Sequence, residues 1–124
     1  MRILGILRIS FKGVQTDIAS YYRKAKIVCV TSRHEGWPMV ITEGMSYGCI
    51  PCVYTTYGAV YNLIDNNENG ILCEPYNVNN MANKIIALAS DENTMRRLSM
   101  NCQIKVKQFN VENIADQWEK LFVK

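Results

Sequence analysis

The sequence predicts an α/β layer fold built on a mostly parallel sheet, and three observations carry that prediction. Ile27-Val28-Cys29-Val30 and Cys52-Val53-Tyr54 are short continuous apolar runs, the pattern of strands covered on both faces. Apolar residues at spacings of three and four mark helices between and after these runs. Strand-like and helix-like segments alternate along the chain, as parallel α/β architecture requires. Ligands of such folds sit beyond the carboxyl ends of the strands, and Ser32 and Thr55 fall at those ends.

Taken in order, Ile9 to Phe11 reads as a short strand ending at Lys12-Gly13. Asp17 to Lys24 reads as a helix with a partial apolar face of Ile18, Tyr21 and Tyr22. After the Ile27 strand comes a helix from Pro38 to Tyr47, closed by Gly48 in the left-handed cap position. The Cys52 strand is followed by a short helix at Val60 to Ile64 and a last short strand at Ile71-Leu72. Asn77 can cap a helix whose stripe is Val78, Met81, Ile85 and Leu88. Met95, Leu98, Cys102, Val106 and Phe109 form a similar stripe. Asn110 can cap a final helix carrying Ile114, Trp118, Leu121 and Phe122.

At 124 residues the chain is one domain, read as spanning 1–124 and large enough to bury a core. With 48% hydrophobic and 20% charged residues, it has the composition of an ordinary globular protein. A net charge of +3 without a basic stripe excludes nucleic acid as the expected partner; Arg96-Arg97, Lys105 and Lys107 read as a solvated helix face. No segment approaches the roughly 20 apolar residues of a membrane span, and the first residues lack a signal-peptide layout. Five scattered cysteines, an odd number, point to reduced thiols and a cytoplasmic setting.

The chemistry concentrates between Ser32 and Pro51. Glu35 and Glu43 lie on either side of a helix start, the first in the entry loop and the second about a turn and a half inside the helix. Gly36 permits unusual backbone angles or a close ligand approach. The unpaired amides of the helix N-terminus form a site for an anionic group. Two carboxylates that accept hydroxyl hydrogen bonds, beside an anion-binding helix end, suit a ligand that is part sugar and part phosphate.

Glu35 to Glu43 resembles the Glu-x7-Glu motif of the family 4 retaining glycosyltransferases, which have the GT-B fold. The flanks match as well: Ser-x-x-Glu-Gly-aromatic-Pro at Ser32 to Pro38, and Glu-x-Met-x-x-Gly-x-Pro at Glu43 to Pro51. Gly58 is similar to the turn after the next strand, and Asn69-Gly70-Ile71-Leu72 with Glu74-Pro75 to the Gly-x-Leu-x-x-Pro step. The ordered series covers most of the chain, from about Phe11-Lys12-Gly13 to the final helix.

The resemblance implies a Rossmann-like parallel sheet with helices on both faces, the partial C-terminal half of a GT-B enzyme. It implies transfer of a hexose from a nucleoside-diphosphate sugar, by default a uridine diphosphate sugar, to a glycan or glycolipid acceptor with retention. Glu35 would hold hexose hydroxyls as the catalytic-site carboxylate, and Glu43 would accept from the ribose. Gly36, Trp37, Pro38, Met39 and Val40 would line the sugar and phosphate site. No bound metal and no separate cofactor is implied. The acceptor domain and the first two strands of the donor domain have no counterpart here, so the chain reads as a fragment that is inactive alone. Leu4 to Leu7 then resembles the tail of the helix before the Ile9 strand. The longer protein would be cytoplasmic, peripheral to the inner face of the membrane.

Without its first two strands the sheet would leave an inner edge open at Ile27 to Val30. Either a homodimer forms across that edge, or the Ile9 strand moves beside the Ile27 strand. Trp37, at the family's usual Phe position, would line the sugar pocket or pack. His34, the only histidine, reads as a surface residue. Glycosidase chemistry would need both carboxylates to flank a scissile bond, which a carboxylate buried along a helix fits poorly. Cys49-Ile-Pro-Cys52 resembles a thioredoxin motif, but closes a helix instead of opening one, away from the dipole end that activates a thiol. A non-catalytic nucleotide-sugar-binding or assembly module is the alternative from another class.

Overall fold

Residues 9–123 are described by a computed structural model. Ile27–Val30 (β1), Ile50–Tyr54 (β2) and Ile71–Cys73 (β3) form a parallel sheet in the order β1-β2-β3. Ile27 to Val30 register with Ile50 to Val53, and Cys52 to Tyr54 with Ile71 to Cys73. Every residue of β2 is buried, as a continuous apolar run at the centre of a flanked parallel sheet requires.

β1 departs from that expectation. Only Val30 is buried, Ile27 and Val28 are half-buried, and Cys29 is exposed. The run is apolar, but β1 pairs with β2 alone among the described residues, so it is an edge strand with part of one face uncovered. Nor does Ile9 to Phe11 form a strand: Ile9 is 52% and Phe11 84% exposed, with no ladder partner among the described residues. A strand is stable only when neighbours take its backbone hydrogen bonds, and none is supplied here. The expected rearrangement of this segment beside β1 is therefore absent. The reading of Leu4 to Leu7 lies outside the described residues.

The helix read over Asp17 to Lys24 is a single turn, Ala19–Tyr22 (α1). Met39–Ser46 (α2) joins β1 to β2, and Val60–Leu63 (α3) lies between β2 and β3. The sheet is followed by Val78–Ala89 (α4), Glu92–Val106 (α5), a 3-10 turn at Lys107–Phe109, and Val111–Phe122 (α6). Asn77 and Asn110 cap α4 and α6 by accepting from the Asn80 and Asn113 amides, at 2.9 and 2.8 Å. Asp91 does the same for α5 through Thr94, a cap the stripe alone did not reveal.

The core joins Val30, Val53 and Tyr54 of the sheet to Ile41 and Met45 of α2, Val60 and Leu63 of α3, and Leu98 and Cys102 of α5. Leu98 has no exposed surface, and burial of such a side chain contributes roughly 1.5–3 kcal/mol. The motif pair Asn69-Gly70 serves this packing. Asn69 is buried, donating to the Leu63 carbonyl and accepting from the Asp65 amide. A Cβ at Gly70 would come within 2.9 Å of Pro51 and Ile64 side-chain atoms. The α6 stripe, by contrast, faces outward: Trp118, Leu121 and Phe122 are all exposed.

Candidate functional site

The carboxyl ends of β1 and β2 carry a loop, Thr31 to Pro38, that leads into α2. Three contacts anchor it. The Thr56 hydroxyl donates to the Ser32 carbonyl at 2.6 Å, tying the loop after β1 to the loop after β2. The Arg33 guanidinium sits over the Tyr76 ring, 5.9 Å from its centroid. Trp37 meets Phe109 edge-on at 5.1 Å. Trp37 therefore packs on the turn between α5 and α6 with one side, while 43% of its surface stays open.

Pro38 is buried and forms the N-cap of α2, its carbonyl accepting from the Ile41 amide at 2.9 Å. The sequence placed it in the first helical turn; it stands one step earlier, with a ψ of 86° that is not helical. No side chain caps this helix, and the Met39 and Val40 amides bond to no described residue. Met39 and Val40 are exposed residues at the positive end of the helix dipole. That arrangement can bind an anionic group.

Glu35 lies exposed in the entry loop, beside exposed His34 and Gly36. Gly36 does not need glycine for its backbone angles, since its φ is not positive. A Cβ there would meet nothing within 4 Å, so the residue leaves an open approach to the helix end. Glu43 is the fifth residue of α2 and is exposed, which corrects the expectation of a carboxylate buried along the helix. Solvent solvates its charge and a ligand can reach it. Glu35 thus stands exposed in the loop that leads from the carboxyl end of β1 to the free start of α2, and Glu43 exposed on α2 itself.

Two tyrosines that the sequence did not single out lie beside these carboxylates. The Tyr22 hydroxyl donates to Oε2 of Glu43 at 3.4 Å. Burial, then the Glu43 charge, raises its phenol above the ordinary value. Tyr57, in the loop after β2, has a buried hydroxyl with no hydrogen-bond partner among the described residues. Burial, then the Glu35 charge, raises its phenol in the same way. The apolar stripe that includes Tyr22 was the one available signal, and it points to core packing rather than to a carboxylate.

The Cys49-Ile-Pro-Cys52 pair has no redox geometry. The Cys49 thiol is buried and donates to the Tyr22 and Ala25 carbonyls, at 3.2 and 3.4 Å. Cys52 is buried in β2, and burial pushes its thiol up to about 12. A hollow of about 260 Å³ lined by Lys26, Tyr47, Gly48 and Arg96 lies at the opposite, amino end of β1 and β2. Parallel sheets seldom place their ligands there.

Residues 6–105 match the family model described as glycosyl transferases group 1. An α-1,4-N-acetyl-D-galactosaminyltransferase of Campylobacter jejuni, which acts on an undecaprenol-linked glycan, is 29% identical over 121 residues, 98% of this chain and 33% of that protein. Among solved structures, Anabaena HepE in complex with UDP and glucose superposes with a TM-score of 0.85 at 26% identity, covering 94% of this chain and 32% of that one. The C-terminal domain of a group 1 glycosyl transferase from Francisella tularensis superposes with a TM-score of 0.72 at 29% identity, covering 83% of this chain and 53% of that one. The chain spans about a third of the length of the curated relatives it matches.

Proposed function

The chain belongs to the glycosyl transferases group 1 family, and from that premise we propose that it is the nucleotide-sugar-binding part of a retaining family 4 glycosyltransferase. One observation carries the reading. An uncapped helix N-terminus lies between a loop carboxylate, Glu35, and a helix carboxylate, Glu43, at the carboxyl ends of parallel strands. HepE, similar to this chain over 94% of its length, has been solved with UDP-glucose, which supports a uridine diphosphate sugar as the donor.

In this reading Glu43 accepts hydrogen bonds from the ribose hydroxyls, and Glu35 accepts from the hexose. The amides of Gly36, Trp37, Met39 and Val40 face the diphosphate, with Trp37 and Met39 forming the wall around it, while Pro38, buried and without an N–H, sets the start of the helix. Transfer breaks the bond between the anomeric carbon and the diphosphate oxygen and forms one to an acceptor hydroxyl. The work of these residues is positioning and stabilisation of the departing diphosphate charge by fixed backbone dipoles. No bound metal is needed for that role. The acceptor, a glycan or glycolipid, is held by a domain outside this chain, and the longer protein works at the cytoplasmic face of a membrane. No helix of the described residues is itself long and apolar enough to cross one. Because half of the cleft is supplied elsewhere, the 124-residue chain binds donor without transferring sugar.

Titration calorimetry of the chain with uridine, guanosine and adenosine diphosphate sugars tests the reading, with Glu43→Ala as control. Weak binding of a uridine donor that the substitution abolishes is the expected result. Silence with all three donors removes the reading from this chain, and sugar transfer by the chain alone refutes its inactivity.

A further inference from the structure

We propose that Tyr22 is a positioning residue for the donor site, its hydroxyl holding the Glu43 carboxylate in the orientation that receives the ribose. The inference rests on the ribose-binding reading of Glu43 given above, and adds a residue to it.

An exposed glutamate has three rotatable side-chain torsions, and a ligand that uses it must freeze them at a cost in affinity. A donor fixed in a rigid frame lowers that cost by biasing the carboxylate before the ligand arrives. Tyr22 has such a frame. It is 7% exposed, and its ring stacks on Tyr47 at 5.8 Å with an interplanar angle of 17°. Its carbonyl accepts from the buried Cys49 thiol at the start of β2. Gly44 follows Glu43 directly, and a Cβ there would lie 3.6 Å from Cε1 of Tyr22, so α2 lies directly against the ring. The tyrosine is therefore wedged between α2 and the connection into β2, with its hydroxyl at the one carboxylate on this helix.

The geometry leaves Glu43 free to work. The phenol occupies one site on Oε2, and the other oxygen keeps its lone pairs for two ribose hydroxyls. At 3.4 Å the contact is long for an O–H donor, so it biases the carboxylate without locking it. A phenol is protonated at neutral pH in any case, so Tyr22 is a donor there. Neighbouring Tyr21 cannot substitute: it is exposed, and its hydroxyl donates to Gln15.

The test compares UDP with its 2′,3′-dideoxy analogue as calorimetric probes of the full 124-residue chain. A carboxylate that accepts both ribose hydroxyls gives UDP an advantage of about tenfold or more. Tyr22→Phe keeps the ring and its stacking. It is expected to shrink that advantage by about threefold or more while leaving the affinity for the dideoxy analogue and the melting temperature unchanged, a pattern that simple loss of packing does not produce. Glu43→Ala should remove the advantage, and adding Tyr22→Phe to it should change nothing further. If Glu43→Ala leaves the advantage intact, the ribose reading itself fails. If Glu43→Ala removes it and Tyr22→Phe does not reduce it, the ribose reading stands and the positioning role is overturned. Binding of neither nucleotide overturns both for this chain. A ligand-free arm reads the contact directly: with 13C-labelled tyrosine, Glu43→Gln should lower the titration midpoint of Tyr22, and an unchanged midpoint overturns the proposal.

Discussion

Ser99 on α5 donates its hydroxyl to the carbonyl of Gly48 at 2.7 Å, fastening the end of α2 to the longest helix of the domain. Gly48 has a φ of +79°, and a Cβ built on it would fall 2.7 Å from the same Ser99 oxygen. Backbone angle and packing both demand glycine there. Gly48→Ala should cost about 1–3 kcal/mol in urea unfolding. Adding Ser99→Ala should return at most part of that loss, because the left-handed backbone remains strained and the hydrogen bond to the Gly48 carbonyl goes with the hydroxyl. A neutral Gly48→Ala would show that the helix end is not held this way.

Asp91 gives α5 an acid-sensitive start. Hydrogen bonds from the Thr94 hydroxyl and amide hold its carboxyl below the ordinary value of 3.8. A depressed carboxylate contributes stability that is complete above its unfolded pKa and is lost as pH falls through the folded one. Melting temperature should therefore drop as pH falls from about 4 toward 2. Asp91→Asn keeps a capping oxygen and should flatten part of that slope. Equal slopes for the two proteins would remove Asp91 from the acid response.

The Tyr57 hydroxyl, buried with no partner among the described residues, carries an expected desolvation penalty. A buried polar group without a partner destabilises by about 1–3 kcal/mol, so Tyr57→Phe should leave stability unchanged or raise it by about 1 kcal/mol. The substitution also takes a phenol from the neighbourhood of Glu35. A stability loss of more than about 1 kcal/mol in urea unfolding would mean that the hydroxyl has a partner in solution.

What the sequence revealed, and what it hid, follows from whether a signal is local. Asn77, Asn110 and Gly48 were legible because a cap is decided by the residue and the few amides or carbonyls beside it. β2 was legible because a central strand is apolar throughout. β1 carries the same kind of run, yet Cys29 is exposed, since an apolar run states a preference for cover and not the presence of a neighbour. The α6 stripe shows the same thing: its periodicity is right, and Trp118 stacks on Phe122 at 5.7 Å, but the face is open. At the candidate site, Glu35, Glu43 and the start of α2 lie within one segment, so the motifs around them could nominate them from sequence. Tyr22 lies 21 residues from Glu43, and no local pattern links the two. Trp37 likewise finds Phe109 only through the tertiary fold.

The open side of β1 makes the final prediction, that two copies of the chain pair edge to edge. The Lys26 carbonyl accepts from the Ile50 amide, so the main-chain groups of Lys26 and Val28 point toward β2. Those of Ile27 and Cys29 then point to the free edge, with no described strand to receive them. Unpaired amides and carbonyls on a flat apolar edge are a template for another strand. Two β1 strands related by a two-fold axis satisfy each other and join both sheets into one. Sedimentation velocity at chain concentrations on the order of 100 µM should show a dimer, as a contact of modest area requires. Cys29→Pro removes an outward amide without touching the ladder to β2, and should return the monomer with its secondary structure intact. In the wild-type chain, maleimide labelling of Cys29 should slow as concentration rises, because the dimer shields the edge; the other four cysteines are buried throughout. A wild-type chain that stays monomeric, with Cys29 labelled at one rate at every concentration, would leave the edge unpaired in solution and defeat the prediction.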